Sequence, residues 1–365
     1  MTASPVLAYL DQHVSRLYQD TRDPLGVDGT TRYMRLHVLH LTAATYDSLG
    51  QLERYPYTRS EVLDFILKCF NKEDRLFGPY PGADGHVNYT FYCLQLCLTL
   101  GLVDEVLGHR VGERTIGEIL YESVLALAQD DGIVYGDQVQ KEVDNRFQFS
   151  FCAILYVLRE KIHFQVDTAV IDRVKRNILS AFSNDAFAAA PYMELHAANT
   201  YCALCALYVI KLLGNAESFA LDHQQLSGLR LGLLKLQTAS GGFCGRPEKQ
   251  PDSCYSQWIG QSLRILDEIE PAHQVHPSVY QNLTNFILEC QDTQDGGFSD
   301  MPDDEADTWH SHFALNFLCA YDDCTRHANE ISGVVNKLGL KVVDPVWDVC
   351  VDKLERERIT GLWRQ

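Results

Sequence analysis

The sequence of 365 residues lacks any uninterrupted apolar run of about 18 or more residues, so we expect no transmembrane segment. Its first stretch, Met1 to Tyr18, contains no basic region followed by an apolar core, and we therefore expect no secretion signal. Positive charge is also scarce: 31 lysines and arginines stand against 49 aspartates and glutamates, a formal net charge of −18. This balance argues against a nucleic-acid partner and would suit a basic one.

Several common motifs are absent as well. The sequence contains no phosphate-binding glycine loop, no paired-histidine metalloprotease motif and no four-cysteine zinc cluster. Cysteine itself is plentiful, with 12 residues, but many lie in apolar helical stretches, as Cys93, Cys97, Cys202 and Cys205 do. Without a secretion signal, we interpret most of them as small core residues in a reducing, cytoplasmic compartment.

The main feature that is present is an internal repeat. Five segments share an amphipathic stretch, a turn of small residues around an apolar residue, and a second, more uniformly apolar stretch. The turn centres lie 56, 54, 56 and 55 residues apart. The turns are Leu76-Phe77-Gly78, Gly132-Ile133-Val134, Asp185-Ala186-Phe187, Gly242-Phe243-Cys244 and Gly297-Phe298-Ser299. Such spacing indicates one supersecondary unit used repeatedly, so we predict a single domain over residues 1–365.

The two stretches of each repeat predict two kinds of helix. The first is amphipathic, as the helical spacing of Val279 and Leu283 illustrates, and Thr58 with Glu61 forms the pattern of a capping box. The second, for example Phe149 to Leu158, is apolar nearly all round, which is typical of a helix buried on every side.

Half-exposed helices alternating with buried ones predict two concentric layers. We expect an all-α fold, an α/α six-barrel of helical hairpins with a period of about 55 residues, counting an atypical hairpin around Tyr33 to Leu52. An open helical solenoid obeys the same local rules. In the barrel, the starts of the buried helices gather at one end, where polar residues would form a site.

The richest polar segment, Gly245 to Trp258, joins two cations, a carboxylate and a thiol just ahead of an apolar helix. The next repeat has Asp307 and His310 at the matching place. If Asp252, Cys254 and His310 meet in space, they form a zinc site with three protein ligands and one open position. On spacing alone, the alternative is a surface carboxylate, a core cysteine and a capping histidine.

Other residues nearby could bind an anionic or apolar ligand. Arg246, whose planar guanidinium can donate two parallel hydrogen bonds, and Lys249, a compact positive charge, suit a diphosphate. His196, at the start of another helix, could also donate a hydrogen bond to the diphosphate. A solvated basic turn and a structural histidine are the alternatives. Aromatic residues beside the polar cluster could line a tunnel for a long apolar ligand or form ordinary core. They are Phe147, Phe149, Tyr201, Tyr255, Trp258 and Trp309.

An acidic run, Asp303, Asp304 and Asp307, spells the pattern with which isoprenoid synthases hold magnesium. Those enzymes need a second acidic motif on a facing helix, and the sequence contains none. We interpret the run, apart from Asp307, as a solvated loop. A terpene cyclase or isoprenyl synthase on a related barrel, and a non-enzymatic helical scaffold, stay as alternatives.

Two motifs carry a resemblance to a known family. The segment Gly245 to Trp258, and Gly296-Gly297-Phe298 followed by Asp307-Thr308-Trp309-His310, resemble the signature of protein prenyltransferase β subunits. The resemblance extends from about His13 to Cys350. It implies an α/α six-barrel that pairs with a helical α subunit and transfers an isoprenyl group from its diphosphate to a cysteine thiol.

The resemblance also implies roles for individual residues. The implied zinc ligands are Asp252, Cys254 and His310, with Asp307 orienting the site. The implied contacts of the isoprenyl diphosphate, which would stabilise its departure, are Arg246, Lys249, Tyr255 and His196. Trp258 would help to wall the lipid tunnel. The zinc-bound substrate thiolate would attack C1 of the diphosphate ester.

Within the family, three stretches look most like the geranylgeranyl enzymes that act on Rab GTPases: Glu142 to Phe147, His86 to Thr90, and Val343 to Trp347. Type I geranylgeranyl enzymes tend to carry lysine where Asp300 stands, whereas the farnesyl and Rab-directed enzymes carry aspartate, which could help to bind magnesium. The implied partners are geranylgeranyl diphosphate, a small GTPase ending in cysteine and an escort protein. Type I geranylgeranyl and farnesyl β subunits, which act on CaaX proteins, are the alternatives.

Four features depart from the family pattern. Two extra residues between Arg146 and Phe151-Cys152 could displace Arg146, and Asp185-Ala186-Phe187 replaces Gly-Gly-Phe. His37 stands where the farnesyl enzyme has a bulky tryptophan and the Rab enzyme a small residue, and Leu41 replaces an expected pocket tryptophan. The last two leave the isoprenoid length open.

Overall fold

The structure, a computed structural model, describes residues 32–183, 185–214, 219–294, 296–324 and 340–362. The helices in these ranges are α1 (Arg35–Ser48), α2 (Arg59–Cys69), α3 (Val87–Leu100), α4 (Val103–Gly108), α5 (Ile116–Leu125), α6 (Asn145–Ile162), α7 (Thr168–Ser180), α8 (Ala197–Leu213), α9 (His223–Leu234), α10 (Gln261–Ile269), α11 (Pro277–Glu289), α12 (Thr308–Cys324) and α13 (Val351–Glu357). A π-helical segment, Ser256–Gly260, directly precedes α10. Among these described helices, none is long and apolar enough to cross a membrane.

Short antiparallel pairs of strands complete the described structure. They are β1 (Phe70–Asn71) with β2 (Leu76–Phe77), β3 (Arg110–Val111) with β4 (Arg114–Thr115), β5 (Phe182–Ser183) with β6 (Ala186–Phe187), and β7 (Val343–Asp344) with β8 (Val349–Cys350). Short 3-10 turns lie at Arg32–Met34, Leu52–Arg54 and Pro271–His273.

The buried helices form a closed ring. In chain order α1 contacts α3, α3 contacts α6, α6 contacts α8, and α8 contacts the π-helical segment, which contacts α12. The ring closes because α12 returns to α1. This closure confirms the predicted α/α six-barrel over the open solenoid, in which each repeat contacts only its neighbours.

The outer helices α2, α5, α7, α9 and α11 each precede an inner helix and bury one face. In α7, for example, Ile171, Val174 and Ile178 are buried while Asp172 and Arg176 are exposed. The predicted capping box at the start of α2 is confirmed.

The prediction for the first hairpin was wrong within the described residues. Tyr33 to Leu52 contains one long helix, α1, rather than two, because nearly all of its residues from Leu36 to Ser48 are buried and no exposed face remains for an outer helix. The assignment of the whole range 1–365 to one domain stays a prediction.

The small-residue turns are tighter than the sequence indicated, because antiparallel pairing closes each of them. Two contain the pairs β1–β2 and β5–β6, and the other three contain isolated bridges. Gly132 and Gly241 have φ of +86° and +91°, and a β-carbon there would collide with the carbonyl oxygen of Arg173 or Asn282 on the next outer helix. Glycine is therefore required at both turns.

A hydroxyl one turn inside the inner helix fixes three of these turns. Thr200 Oγ1 accepts a hydrogen bond from the backbone N–H of the buried Phe187 at 3.0 Å and donates to the His196 carbonyl at 3.1 Å. Thr90 and Ser311 accept in the same way from the turns of their own repeats. The turn is thereby held against the start of the inner helix.

We predict that Thr200→Val lowers the free energy of unfolding by about 1–3 kcal/mol, because the buried N–H of Phe187 loses its acceptor. Thr99→Val is the matched control: that buried hydroxyl only donates to the Gln95 carbonyl of its own helix, so its loss should cost less than about 1 kcal/mol. Urea denaturation measures both, and equal losses would contradict the role given to Thr200.

Candidate metal and substrate site

Polar side chains cap the inner helices at one end of the barrel. His86, Asp144 and His196 each accept a hydrogen bond from the backbone N–H two residues further on, at the starts of α3, α6 and α8. Asp307 caps α12 by accepting from the His310 N–H, three residues further on, at 2.9 Å. Asp252 holds the turn that precedes the π-helical segment by accepting from the Cys254 N–H at 2.7 Å. Five successive repeats therefore place a polar group at the same mouth.

The structure brings the three predicted metal ligands together. Ligand atoms of Asp252, Cys254 and His310 all lie within 4.8 Å of one another. His310 Nε2 is 3.5 Å from Asp252 Oδ1, and His310 Nδ1 is 2.6 Å from Asp307 Oδ2. Asp307 thus orients the imidazole so that Nε2 faces the other two ligands, the usual role of a carboxylate behind a metal-bound histidine.

Ser253 explains how two repeats meet in register. Its N–H donates to the Asp300 carbonyl at 2.8 Å and its hydroxyl donates to the Ser299 carbonyl at 2.6 Å. Because Ser253 stands between Asp252 and Cys254, these bonds hold both ligands beside the repeat that contains His310. The Asp300 carboxylate lies in the same turn and accepts a hydrogen bond from the backbone N–H of Met301 at 2.9 Å.

The charges of the metal-free site follow from its geometry. Burial opposes protonation of His310, but hydrogen bonds with Asp252 and Asp307 outweigh it and raise the pKa of His310 to about 10. Burial, reinforced by Asp252, raises the pKa of the Cys254 thiol far above its usual range. Burial opposes ionisation of Asp252, yet hydrogen bonds with His310 and Cys254 leave its pKa lowered. Without a metal, the site therefore contains a carboxylate, an imidazolium and a neutral thiol at pH 7.

The donor set decides which ion these residues fit. One oxygen, one nitrogen and one sulfur atom within reach of a common point form three corners of a tetrahedral transition-metal site. An ion there would deprotonate both the thiol and the imidazolium, leaving a fourth position open.

Next to this cluster, a neutral histidine and a tyrosine face each other. Tyr255 Oη lies 3.4 Å from His196 Nε2, and His196 Nδ1 accepts the capping hydrogen bond of α8. Burial lowers the pKa of His196, and the charge of Arg246 lowers it further. Nε2 of the neutral ring therefore carries the proton and can donate it to a ligand. Tyr255 packs against Gly245, where a β-carbon would collide with the tyrosine ring.

The two predicted cations lie on the loop that follows this glycine. Arg246 forms an ion pair with Glu194. Lys249 is exposed, and no hydrogen bond or ion pair joins it to the residues that the structure describes. Both side chains are free to turn toward an anion at the mouth at little cost, since exposed ion pairs contribute little to stability.

A cavity of about 280 Å³ lies inside the ring. Four of the six aromatic residues that could line a tunnel do line it: Phe149, Tyr201, Trp258 and Trp309. The other two lie elsewhere, because Phe147 packs against His86, with ring centroids 5.0 Å apart, and Tyr255 faces His196. Trp309 directly precedes His310 and Trp258 lies four residues after Cys254, so this part of the cavity wall adjoins the ligand cluster in sequence.

The cavity wall contains more polar residues than a tunnel for an apolar chain would require. The polar members include His37, His40, Arg146 and Asp348, and Leu41 also lines the wall. Arg146 lines the cavity and forms an ion pair with Asp144 at 2.9 Å. The two extra residues that follow Arg146 in the sequence therefore do not displace it from the cavity.

The sequence reasoning identified His37 and Leu41 at this wall but missed three other residues. His37 stacks on Tyr92, with ring centroids 4.0 Å apart, and burial lowers its pKa well below the ordinary value. His40, three residues from His37 on the same buried helix, could have been found by that spacing. No pattern in the sequence identified Tyr92 or Asp348 as residues of the cavity wall.

Comparisons with known proteins agree with this geometry. Residues 11–349 match the family model described as prenyltransferase alpha-alpha toroid domain. The geranylgeranyl transferase type-2 subunit beta of Saccharomyces cerevisiae is 31% identical over 296 residues, which cover 80% of this chain and 83% of that protein. The type-1 subunit beta of Dictyostelium discoideum is 32% identical over 187 residues, 51% of this chain and 48% of that protein.

A solved structure shares the fold. Candida albicans protein geranylgeranyltransferase-I complexed with GGPP superposes with a TM-score of 0.72 at 17% identity, covering 96% of this chain and 98% of that chain. The chain belongs to the prenyltransferase family with an alpha-alpha toroid domain, in which it is a protein prenyltransferase β subunit.

Proposed function

We propose that this chain is the catalytic β subunit of a geranylgeranyltransferase that modifies C-terminal cysteine thiols of Rab-type small GTPases. The observation that carries the proposal is the convergence of Asp252, Cys254 and His310, next in sequence to two tryptophans of the cavity wall. The similarity to a type-2 subunit beta over 80% of the chain supports the Rab-directed activity. The alternatives are a type I geranylgeranyltransferase and a farnesyltransferase β subunit.

Zinc fits the three ligands best, because it accepts oxygen, nitrogen and sulfur donors in a tetrahedral arrangement. When bound, zinc would hold the substrate cysteine at the open position and stabilise it as a thiolate. Asp307 keeps His310 Nε2 directed at the ion, and Asp252 stays ionised because its pKa is lowered.

The second half of the reaction is the departure of diphosphate. The substrate sulfur forms a bond to C1 of the isoprenyl group while the bond from C1 to the diphosphate oxygen breaks. His196 Nε2–H and the Tyr255 hydroxyl would donate to the leaving oxygens, and Arg246 and Lys249 would balance their charge. Asp300 would help to bind a magnesium ion at this diphosphate.

The cavity would hold the isoprenyl chain. Phe313 packs edge to face on Trp258 and on Trp309, with ring centroids 4.9 and 4.6 Å apart, and the two tryptophans are tilted at 6.4 Å. Such a wall orients the chain and excludes water, which would otherwise hydrolyse the donor.

The remaining partners follow from the family. We infer that the chain works in the cytoplasm as a heterodimer with a helical α subunit, and that an escort protein presents the GTPase. A terpene cyclase using the acidic run is disfavoured, because Asp303 and Asp304 are exposed and Asp307 is engaged with His310.

The proposed activity is tested by co-expressing the chain with candidate α subunits. We expect transfer from geranylgeranyl diphosphate to a Rab protein in the presence of an escort protein, exceeding transfer to peptides that end in a CaaX box. Farnesyl diphosphate should be the poorer donor. Efficient transfer to CaaX peptides without an escort would contradict the Rab assignment while leaving the family unchanged.

We expect Cys254→Ala to lose the bound zinc of this site and at least about 100-fold of its activity, because two ligands cannot retain the ion. The fold should survive. Cys152→Ala is the matched control: it removes the same atoms from another buried thiol, in α6, and should keep zinc and turnover. Elemental analysis and circular dichroism give the result, and a fully active Cys254→Ala chain would refute the site.

Metal affinity should depend steeply on pH. His310 is protonated in the metal-free site because its pKa is raised to about 10, and the Cys254 thiol is neutral, so binding displaces two protons. The apparent affinity should therefore rise about a hundredfold per pH unit near neutrality. Titration with Co²⁺ at about pH 6.5 and 7.5, following thiolate-to-cobalt absorption, measures it specifically. A pH-independent affinity would show that these ligands are not the ones displaced.

A further inference from the structure

A second cluster of metal-type ligands lies in the wall of the cavity. His40 on α1, His312 on α12 and Asp348 in the loop between β7 and β8 are all buried, and their ligand atoms lie within 4.8 Å of one another. Asp348 Oδ2 is 2.9 Å from His312 Nε2 and 3.6 Å from His40 Nε2. No residue of this cluster belongs to the site of Asp252, Cys254 and His310.

The hydrogen bond to Thr45 selects one tautomer of a neutral His312, in which Nε2 has no proton to donate. Thr45 Oγ1 gives its own proton to the Leu41 carbonyl at 2.8 Å, so it meets His312 Nδ1, 3.4 Å away, as an acceptor. A neutral imidazole with its proton on Nδ1 has only a lone pair on Nε2. That lone pair faces a carboxylate oxygen of Asp348 at 2.9 Å, and two acceptors this close require a cation between them, either a second ring proton or a metal ion. The Asn316 amide lies beside both acceptors but cannot supply a charge.

The charge of Asp348 also needs compensation. Among the described residues, its ion-pair partners are His40 and His312, and neither lysine nor arginine reaches it. An ionised carboxylate in a protein interior is costly unless a cation or a metal ion balances it. His40 does little to compensate the charge of Asp348, because its Nε2 lies 3.6 Å from Asp348 Oδ2, too far for a hydrogen bond. Its Nδ1 is buried without a hydrogen-bond partner.

We propose that His40 Nε2, His312 Nε2 and Asp348 Oδ2 bind a second divalent transition-metal ion, such as zinc. Two imidazole nitrogens and one carboxylate oxygen are an established donor set for such ions. The amide of Asn316 contacts both His312 Nε2, at 3.0 Å, and Asp348 Oδ1. Because amide nitrogen and oxygen are exchanged by a simple flip, its carbonyl oxygen supplies the fourth ligand. Thr45 then fixes the tautomer of His312 from behind.

This ion has a structural role. α1 and α12 are the first and last inner helices of the ring, and the loop that presents Asp348 joins β7 to β8 near the end of the described chain. Asp348 has a left-handed φ of +57°, and the Asp344 carboxylate holds the same loop by accepting from Val346 N–H at 2.9 Å. The metal ion links these three elements and closes the barrel.

The test counts metal ions in the purified full chain by elemental analysis. We expect about two per chain in the wild type and about one in Cys254→Ala, which leaves the second cluster intact. Asp348→Asn should also retain about one, and the variant with both changes none. A wild-type chain with a single ion that Cys254→Ala removes entirely overturns the proposal, and His40, His312 and Asp348 are then a hydrogen-bonded network only.

Cobalt loading separates the two sites without using activity. Asp348→Asn should keep the thiolate-to-cobalt absorption of Cys254, whereas Cys254→Ala should bind cobalt with no thiolate absorption. If Asp348→Asn fails to fold by circular dichroism, His40→Gln replaces it, and Cys254→Ala decides the question by itself. Failure of the proposed prenyl transfer would leave this metal count unchanged, so the two proposals are judged independently.

Discussion

The structure depends on one constraint: the first turn of every helix has backbone N–H groups without helical partners. An inner helix of this barrel is apolar on all sides and cannot leave those donors without partners, so α3, α6, α8 and α12 each begin with a polar capping side chain, and Asp252 holds the turn that leads into the π-helical segment. Because all the inner helices of the described repeats follow an outer helix and a tight turn, their starts lie at the same end. The capping positions His86, Asp144, His196, Asp252 and Asp307 thereby become the mouth of the site.

Capping also explains why the same residues serve stability and chemistry. Asp252 covers the Cys254 N–H with the carboxylate that is aimed at His310, and Asp307 covers the His310 N–H while orienting its ring. His196 caps through Nδ1 and keeps Nε2 directed at Tyr255 and the mouth. Asp307 and His196 use one atom for the backbone and another for the site, whereas Asp252 Oδ1 serves both. In all three residues the cost of ordering a catalytic group is shared with the fold.

Much of the fold was predictable because its causes are local and repeated. The period near 55 residues and the difference between amphipathic and apolar stretches can both be identified from the sequence alone. A long motif likewise identified Asp252, Cys254 and His310 as candidate ligands. The missed features depend on contacts distant in sequence. The β5–β6 pair and the π-helical segment arise where turns pack on neighbouring helices, and Asp348 reaches the cavity only through the fold of the C-terminal loop. The extension from α4 to β4 has no counterpart in the described parts of the other repeats and was not predicted.

The two hydrogen bonds from Ser253 to the following repeat limit how this chain can change over evolutionary time. Since two ligands of the metal come from one repeat and the third from the following one, a change of length within the two turns that Ser253 joins would shift the ligands relative to one another even if both hairpins still folded. The intervals between successive polar residues of the mouth elsewhere range from 52 to 58 residues although these residues all lie at the same end, so the loops at the opposite end tolerate changes of length. Length variation should therefore accumulate in those opposite loops, while the turns at Asp252 to Cys254 and at Ser299 to Asp300 stay constant.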